Sequence, residues 1–138
     1  VTLANAFASL TNAQVLALDS TAVTVIPDPG DGYIIDVVDG MLFFDYTGAY
    51  TAGGSDDLRL WYTNRTTGPA ASNTIEATGF LTATADEYIA FSGTPDDTLA
   101  DPSVAVVIQN TSGVAFGSGN ASNAVKVSVT YIIRRLGF

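Results

Sequence analysis

Asp36 and Asp45 are the residues best placed for acid–base chemistry, because each sits among apolar neighbours where partial burial would raise a carboxyl pKa. Two acids about 5 Å or about 6.5–9.5 Å apart could cleave a glycosidic bond by a retaining or an inverting route. Strand alternation offers the plainer alternative, in which both acids face solvent. Turn acids form a second group: Asp28 with Asp31, the pair Asp56-Asp57, and Asp96-Asp97 with Asp101. Their oxygens are the ligands Ca²⁺ takes, yet no segment matches an EF-hand, and Pro-Asp and Asp-Gly steps are ordinary turn chemistry. No cofactor and no catalytic or metal-binding residue is assigned.

Much other chemistry is closed, since the chain has no His and no Cys. Ser-His-Asp and Cys-His nucleophiles are impossible, and zinc loses its two preferred ligand types. A Ser-Lys pair would need Lys126, which lies inside a strand pattern. Asn64-Arg-Thr66, Asn110-Thr-Ser112 and Asn120-Ala-Ser122 match the glycan-acceptor pattern but read as turns in a chain rich in Asn, Ser and Thr. The loops at Gly53-Gly54 and Gly117–Gly119 lack the strand-loop-helix setting of phosphate binding.

Fourteen acids against five bases give a net charge of −9. The bases Arg59, Arg65, Lys126, Arg134 and Arg135 make no concentrated patch, so no nucleic-acid partner is expected. No membrane partner is expected either: apolar runs such as Val104–Ile108 are of strand length, and the first ten residues lack the basic and apolar regions of a leader.

The elements that must position these residues are strands. Thr21–Ile26 is β-branched and runs into the turn Pro27-Asp-Pro-Gly-Asp-Gly32. Tyr33–Val38 and Met41–Tyr46 flank Asp39-Gly40, which makes either a hairpin or one bulged strand. Leu58, Leu60 and Tyr62 alternate with Arg59, Trp61 and Thr63, and Val125, Val127, Val129, Tyr131 and Ile133 share one face of a last strand. Ser103–Gln109 is apolar on both faces, as a central strand would be. Asn73–Leu81 and Glu87–Phe91 read as weaker strands joined through Ala83–Asp86. Thr11–Asp19 reads as a short capped helix or a first strand. About eight to ten short strands with turns every 8–12 residues or so predict an all-β fold, a single antiparallel, jelly-roll-like β-sandwich. Residues 1–12 are assigned to an N-terminal arm and 13–138 to the sandwich.

Residues without chemistry can still bind. Trp61 beside Arg59 has the composition of an interface anchor, or closes the end of the core. Arg134, Arg135, Leu136 and Phe138 form a basic, apolar end on an acidic body. With Val1, Leu3, Phe7 and Leu10 of the arm, these residues make up the predicted contact set.

Leu16–Ile35, with its Thr-x-Val-x-Val run and Pro-x-Pro-Gly turn, resembles a group of small virion proteins of tailed bacteriophages. The similarity continues through Tyr50–Gly54, Leu58–Tyr62, Gly79–Asp86 and Val125–Tyr131, and so spans most of the chain. The resemblance implies a capsid decoration, or cement, protein. Such proteins sit as trimers on the outside of the head and bridge major capsid subunits; the chain would be made in the host cytoplasm and would not be an enzyme. The alternative is a tail-associated or carbohydrate-binding module, with Tyr50 and Phe116 as loop platforms. A glycosidase built on Asp36 and Asp45 is the third reading.

Overall fold

The structure is a computed structural model that describes residues 3–53, 56–94 and 102–137. Val1, Gly54, Asp96, Asp97, Asp101 and Phe138 of the sequence reading lie outside these residues. Among the described residues, nine strands and one helical turn follow in order: β1 (Leu3–Thr11), α1 (Asn12–Leu16), β2 (Val23–Ile26), β3 (Tyr33–Asp45), β4 (Tyr50–Thr51), β5 (Leu58–Tyr62), β6 (Glu87–Ser92), β7 (Val106–Asn110), β8 (Gly117–Ser118) and β9 (Ala124–Arg135).

The strands form two antiparallel sheets and a small ribbon. One sheet has the order β1-β9-β3-β6, the other β2-β7-β5, and β4 pairs with β8. Residues 70–75 touch the outer side of β5 through the single bridges Trp61↔Ala70 and Leu58↔Ile75, and so stand where a fourth strand would complete the second sheet. The resulting winding, in which β1, β3, β6 and β9 build one layer and β2, β5 and β7 the other, is that of a jelly roll. The all-β sandwich expected from the sequence is what the chain forms.

Period-2 burial explains the layers. Leu10, Ile35, Val37, Leu42, Phe44, Phe91, Val125, Val127 and Val129 point inward from the first sheet, and Val25, Leu58, Leu60, Tyr62, Val106 and Ile108 meet them from the second. β7 is buried at every residue, as befits the middle of its sheet. The Tyr62 hydroxyl crosses between layers and donates to the Ile35 carbonyl at 2.6 Å, which satisfies a polar group inside the core.

The local outcomes of the sequence reading have physical causes. Of the two readings of Asp39-Gly40, the bulged strand is what forms: β3 runs through it as one strand, with a bulge between Val37 and Asp39. A side chain at Gly40 would lie 2.3 Å from the Phe91 ring and 2.4 Å from the Ser128 carbonyl, so the glycine makes room for two neighbours. Asn73–Leu81 is not a strand; it makes isolated bridges and then a turn in which Phe80 and Leu81 donate to the Ala77 carbonyl. Thr11 caps α1 by a reciprocal pair: its hydroxyl accepts from the Gln14 N–H at 3.2 Å and its own N–H donates to Gln14 Oε1 at 2.9 Å. Most of the segment assigned to an arm is β1, paired with β9 along its whole length.

Candidate functional site

The two acids considered for glycoside hydrolysis stand at opposite ends of β3 on its outward side, about 30 Å apart at ~3.3 Å per residue. Each meets a cation. Arg134 Nε donates to Asp36 Oδ2 at 2.8 Å, and Lys126 Nζ lies 4.0 Å from Asp45. No shared substrate position exists between them, so this geometry does not support the paired-carboxylate reading. The turn acids have structural work: Asp28 accepts from the Gly30 N–H, Asp56 from Gly53 and Ser112, and Asp57 from Ala77. Among the described residues no group of three or more acids converges on a metal position.

The glycan-acceptor triplets at Asn64 and Asn120 are turns, as expected, whereas the third begins at Asn110, the last residue of β7. Asn64 accepts from the N–H groups of Thr66 and Thr67, Asn120 accepts from Ser122, and Asn110 is fully buried and donates to the Val114 carbonyl. Arg65 also has an internal role, because its guanidinium binds Asn110, the Ser112 carbonyl and the Asp19 carbonyl and so ties three loops together. Tyr50 and Phe116, suggested as loop platforms for sugar, are each 2% exposed and belong to the core. Bulky aromatic rings at the mouth of a small sandwich fill it instead of projecting from it.

The predicted contact residues divide between opposite sides of the sandwich. Leu3 and Phe7 lie on the outward face of β1, 59% and 76% exposed, and Arg134 shares that outward face from β9. Arg135 pairs with Tyr33, and the Leu136 N–H donates to the Gly32 carbonyl, which fixes the chain just beyond β9. Arg59 and Trp61 lie on the outward side of the other sheet, partly covered by residues 70–73. There the Arg59 guanidinium sits 5.6 Å from the Trp61 ring centre and its Nε donates to the Ser72 carbonyl at 2.7 Å. Leu10 requires correction: it is fully buried, because the alternation that turns Leu3 and Phe7 outward turns this even-numbered residue into the core.

One surface feature escaped the sequence reading. Met41 and Phe43 of β3 and Tyr88 of β6 join Phe7 on the outward face of the four-stranded sheet and line an open apolar groove of about 480 Å³. Phe43 and Tyr88 stack at 4.6 Å between ring centres, and Lys126 Nζ stands 5.8 Å from the Phe43 ring. Registry assembles this patch: Met41 lies opposite both Ser128 and Ala90, Phe43 opposite both Lys126 and Tyr88, and Phe7 opposite Ser128. Each aromatic taken alone reads as a strand residue. Only the order of strands shows that they share one solvent-facing side.

No protein-family model matches this chain, and no curated protein matches it. Among solved structures it is similar to a chain in the cyanophage Pam1 capsid asymmetric unit, with 16% identity, a TM-score of 0.53, and coverage of 94% of this chain and 84% of that one. It is also similar to a chain in the capsid of Ralstonia phage GP4, with 15% identity, a TM-score of 0.43, and coverage of 96% and 83%. Over nearly its whole length, the chain has the fold of a polypeptide found in the Pam1 capsid asymmetric unit.

Proposed function

We propose that this chain is a non-enzymatic structural protein of a phage virion, a decoration or cement protein held on the outer surface of the head. Its partners are the major capsid protein and other copies of itself, gathered as a homotrimer. The observation that carries the reading is the outward patch of Phe7, Met41, Phe43 and Tyr88: exposed apolar surface on a rigid sheet marks a contact face, and a rigid body loses little conformational freedom on docking. The shared fold and the family resemblance support a phage head as the lattice. Several modest contacts per assembly add through avidity.

The test is binding of the purified chain to undecorated heads built from the major capsid protein of the same phage. Saturation at a fixed ratio to that protein is expected, with head binding lost on Tyr88→Glu. Binding to tails or to host glycans, with heads left bare, would overturn the proposal.

A further inference from the structure

Among the described residues β1 is the longest strand at a sheet edge. β1 pairs only with β9, and among the described residues no other group bonds to the outer edge of Leu3–Leu10. The segment Leu-Ala-Asn-Ala-Phe-Ala-Ser-Leu-Thr holds no charge and no Pro, and Phe7 at its centre is 76% exposed. Soluble proteins normally blunt such edges with charge, Pro, bulges or cover, and an edge left open is a template for another strand.

We infer that β1 pairs antiparallel with β1 of a second copy across a two-fold axis at Phe7, which makes one eight-stranded sheet from two four-stranded ones. The strand is self-complementary in this register. Phe7 meets the second copy's Phe7, Asn5 meets Ser9, and Leu3 meets Thr11; on the core side Ala6 meets Ala8 and Ala4 meets Leu10. A slip by two residues in either direction sets Phe7 against Ser9 or Asn5 and leaves two residues at one end of each strand unpaired.

Charge does not oppose a second copy at this edge. Two molecules of net charge −9 repel, but β1 is uncharged and β9 carries only the cations Lys126, Arg134 and Arg135. The acids of this sheet begin on β3. From β3 of one copy to β3 of the other would be five strand spacings, about 24 Å, or roughly three Debye lengths at physiological salt.

The contact is about 30 Å long and one strand wide, below the ~1,200 Å² of a standard interface, so the isolated pair is weak, with a Kd above about 1 µM. It is additional to a three-fold contact and would join one trimer to the next. It also stands apart from head binding, because it is measured on the purified chain alone.

The chain lacks Cys, so a single introduced thiol reports on one position. Phe7→Cys places two thiols across the axis, within reach of a disulfide. Val114→Cys, 59% exposed on the loop after β7 and outside the apolar patch, serves as the collision control. Under oxidising conditions Phe7→Cys should form covalent pairs at least tenfold faster than Val114→Cys. Sedimentation of the unaltered chain should show mass rising with concentration beyond the trimer, and Phe7→Glu should abolish that further rise while keeping the native circular dichroism. Register is checked by charge: Asn5→Glu with Ser9→Glu should weaken pairing, whereas Asn5→Glu with Ser9→Lys, which sets opposite charges face to face, should preserve it. Equal cross-linking of the two thiol variants, or an association unaffected by Phe7→Glu and by both charge pairs, would overturn the inference.

Discussion

The two edges of the four-stranded sheet receive opposite treatment. At β6 the edge is covered: the Asn73 N–H donates to the Ser92 carbonyl, Asn73 Oδ1 accepts from the Ser92 N–H, Ser72 bridges Gly93, and Glu87 folds its carboxylate back onto the Tyr88 N–H. The Gly93 N–H then turns inward to the Val38 carbonyl. Among the described residues β1 has no such device, and the uncharged stretch Leu3–Leu10 leaves the ladder groups of its outer edge free. One chain thus holds both solutions to the same problem. The covered edge is part of what folds the molecule, and the open edge is available for what the folded molecule does.

That contrast can be broken most forcefully at Gly93. A side chain there would lie 1.8 Å from the Val37 carbonyl oxygen, a backbone atom that cannot yield cheaply. Gly93→Ala should cost about 3 kcal/mol, read from the denaturant midpoint, and a loss under about 0.5 kcal/mol would mean that the β6 cover is not integral to the fold. Asn73→Ala removes one cover bond and leaves the Ser92 N–H to water, with an expected loss of about 1 kcal/mol.

On the open side, Phe7→Ala should change monomer stability by no more than about 0.5 kcal/mol, because the ring is largely in water already. An unfolding midpoint shifted as far as in Asn73→Ala would erase the distinction between the edges. The smallest effect is expected at Tyr50, which touches neither edge and calibrates both. Burial pushes its phenol above the ordinary 10.0, offset in part by the Asn123 side chain. The native state then keeps a proton that the unfolded chain releases. This contribution is therefore intact below about pH 10 and lost as pH rises through the native value. Tyr50→Phe should match the parent at neutral pH and fall less steeply above pH 10 or so in a pH series of unfolding curves.

Legibility in the sequence tracked the strength of alternation. β5 and β9 were readable because Leu58, Leu60 and Tyr62, and Val125, Val127 and Val129, are large residues set against polar ones. β7 was readable as central because it is apolar throughout. β1 was not, since its inward residues Ala4, Ala6 and Ala8 give weak contrast with Asn5 and Ser9. The carboxylate hypothesis failed for a reason a single strand already contains: Asp36 and Asp45 have the right chemistry but lie too far apart along one extended chain. The apolar patch depended on pairing. Residues 7, 41, 43 and 88 meet only through the order β1-β9-β3-β6, a long-range fact that no local window holds.

β1 and β9 are neighbours that run in opposite directions, with Leu3 opposite Ile132. Passengers fused ahead of β1 or after β9 would therefore emerge from the same corner of the sandwich. A pull applied between those two points would load the ladder one rung at a time, as a zipper opens, and would not stretch every rung together. Such a body yields at low force when drawn by its own ends and is far tougher when pressed or sheared across its faces.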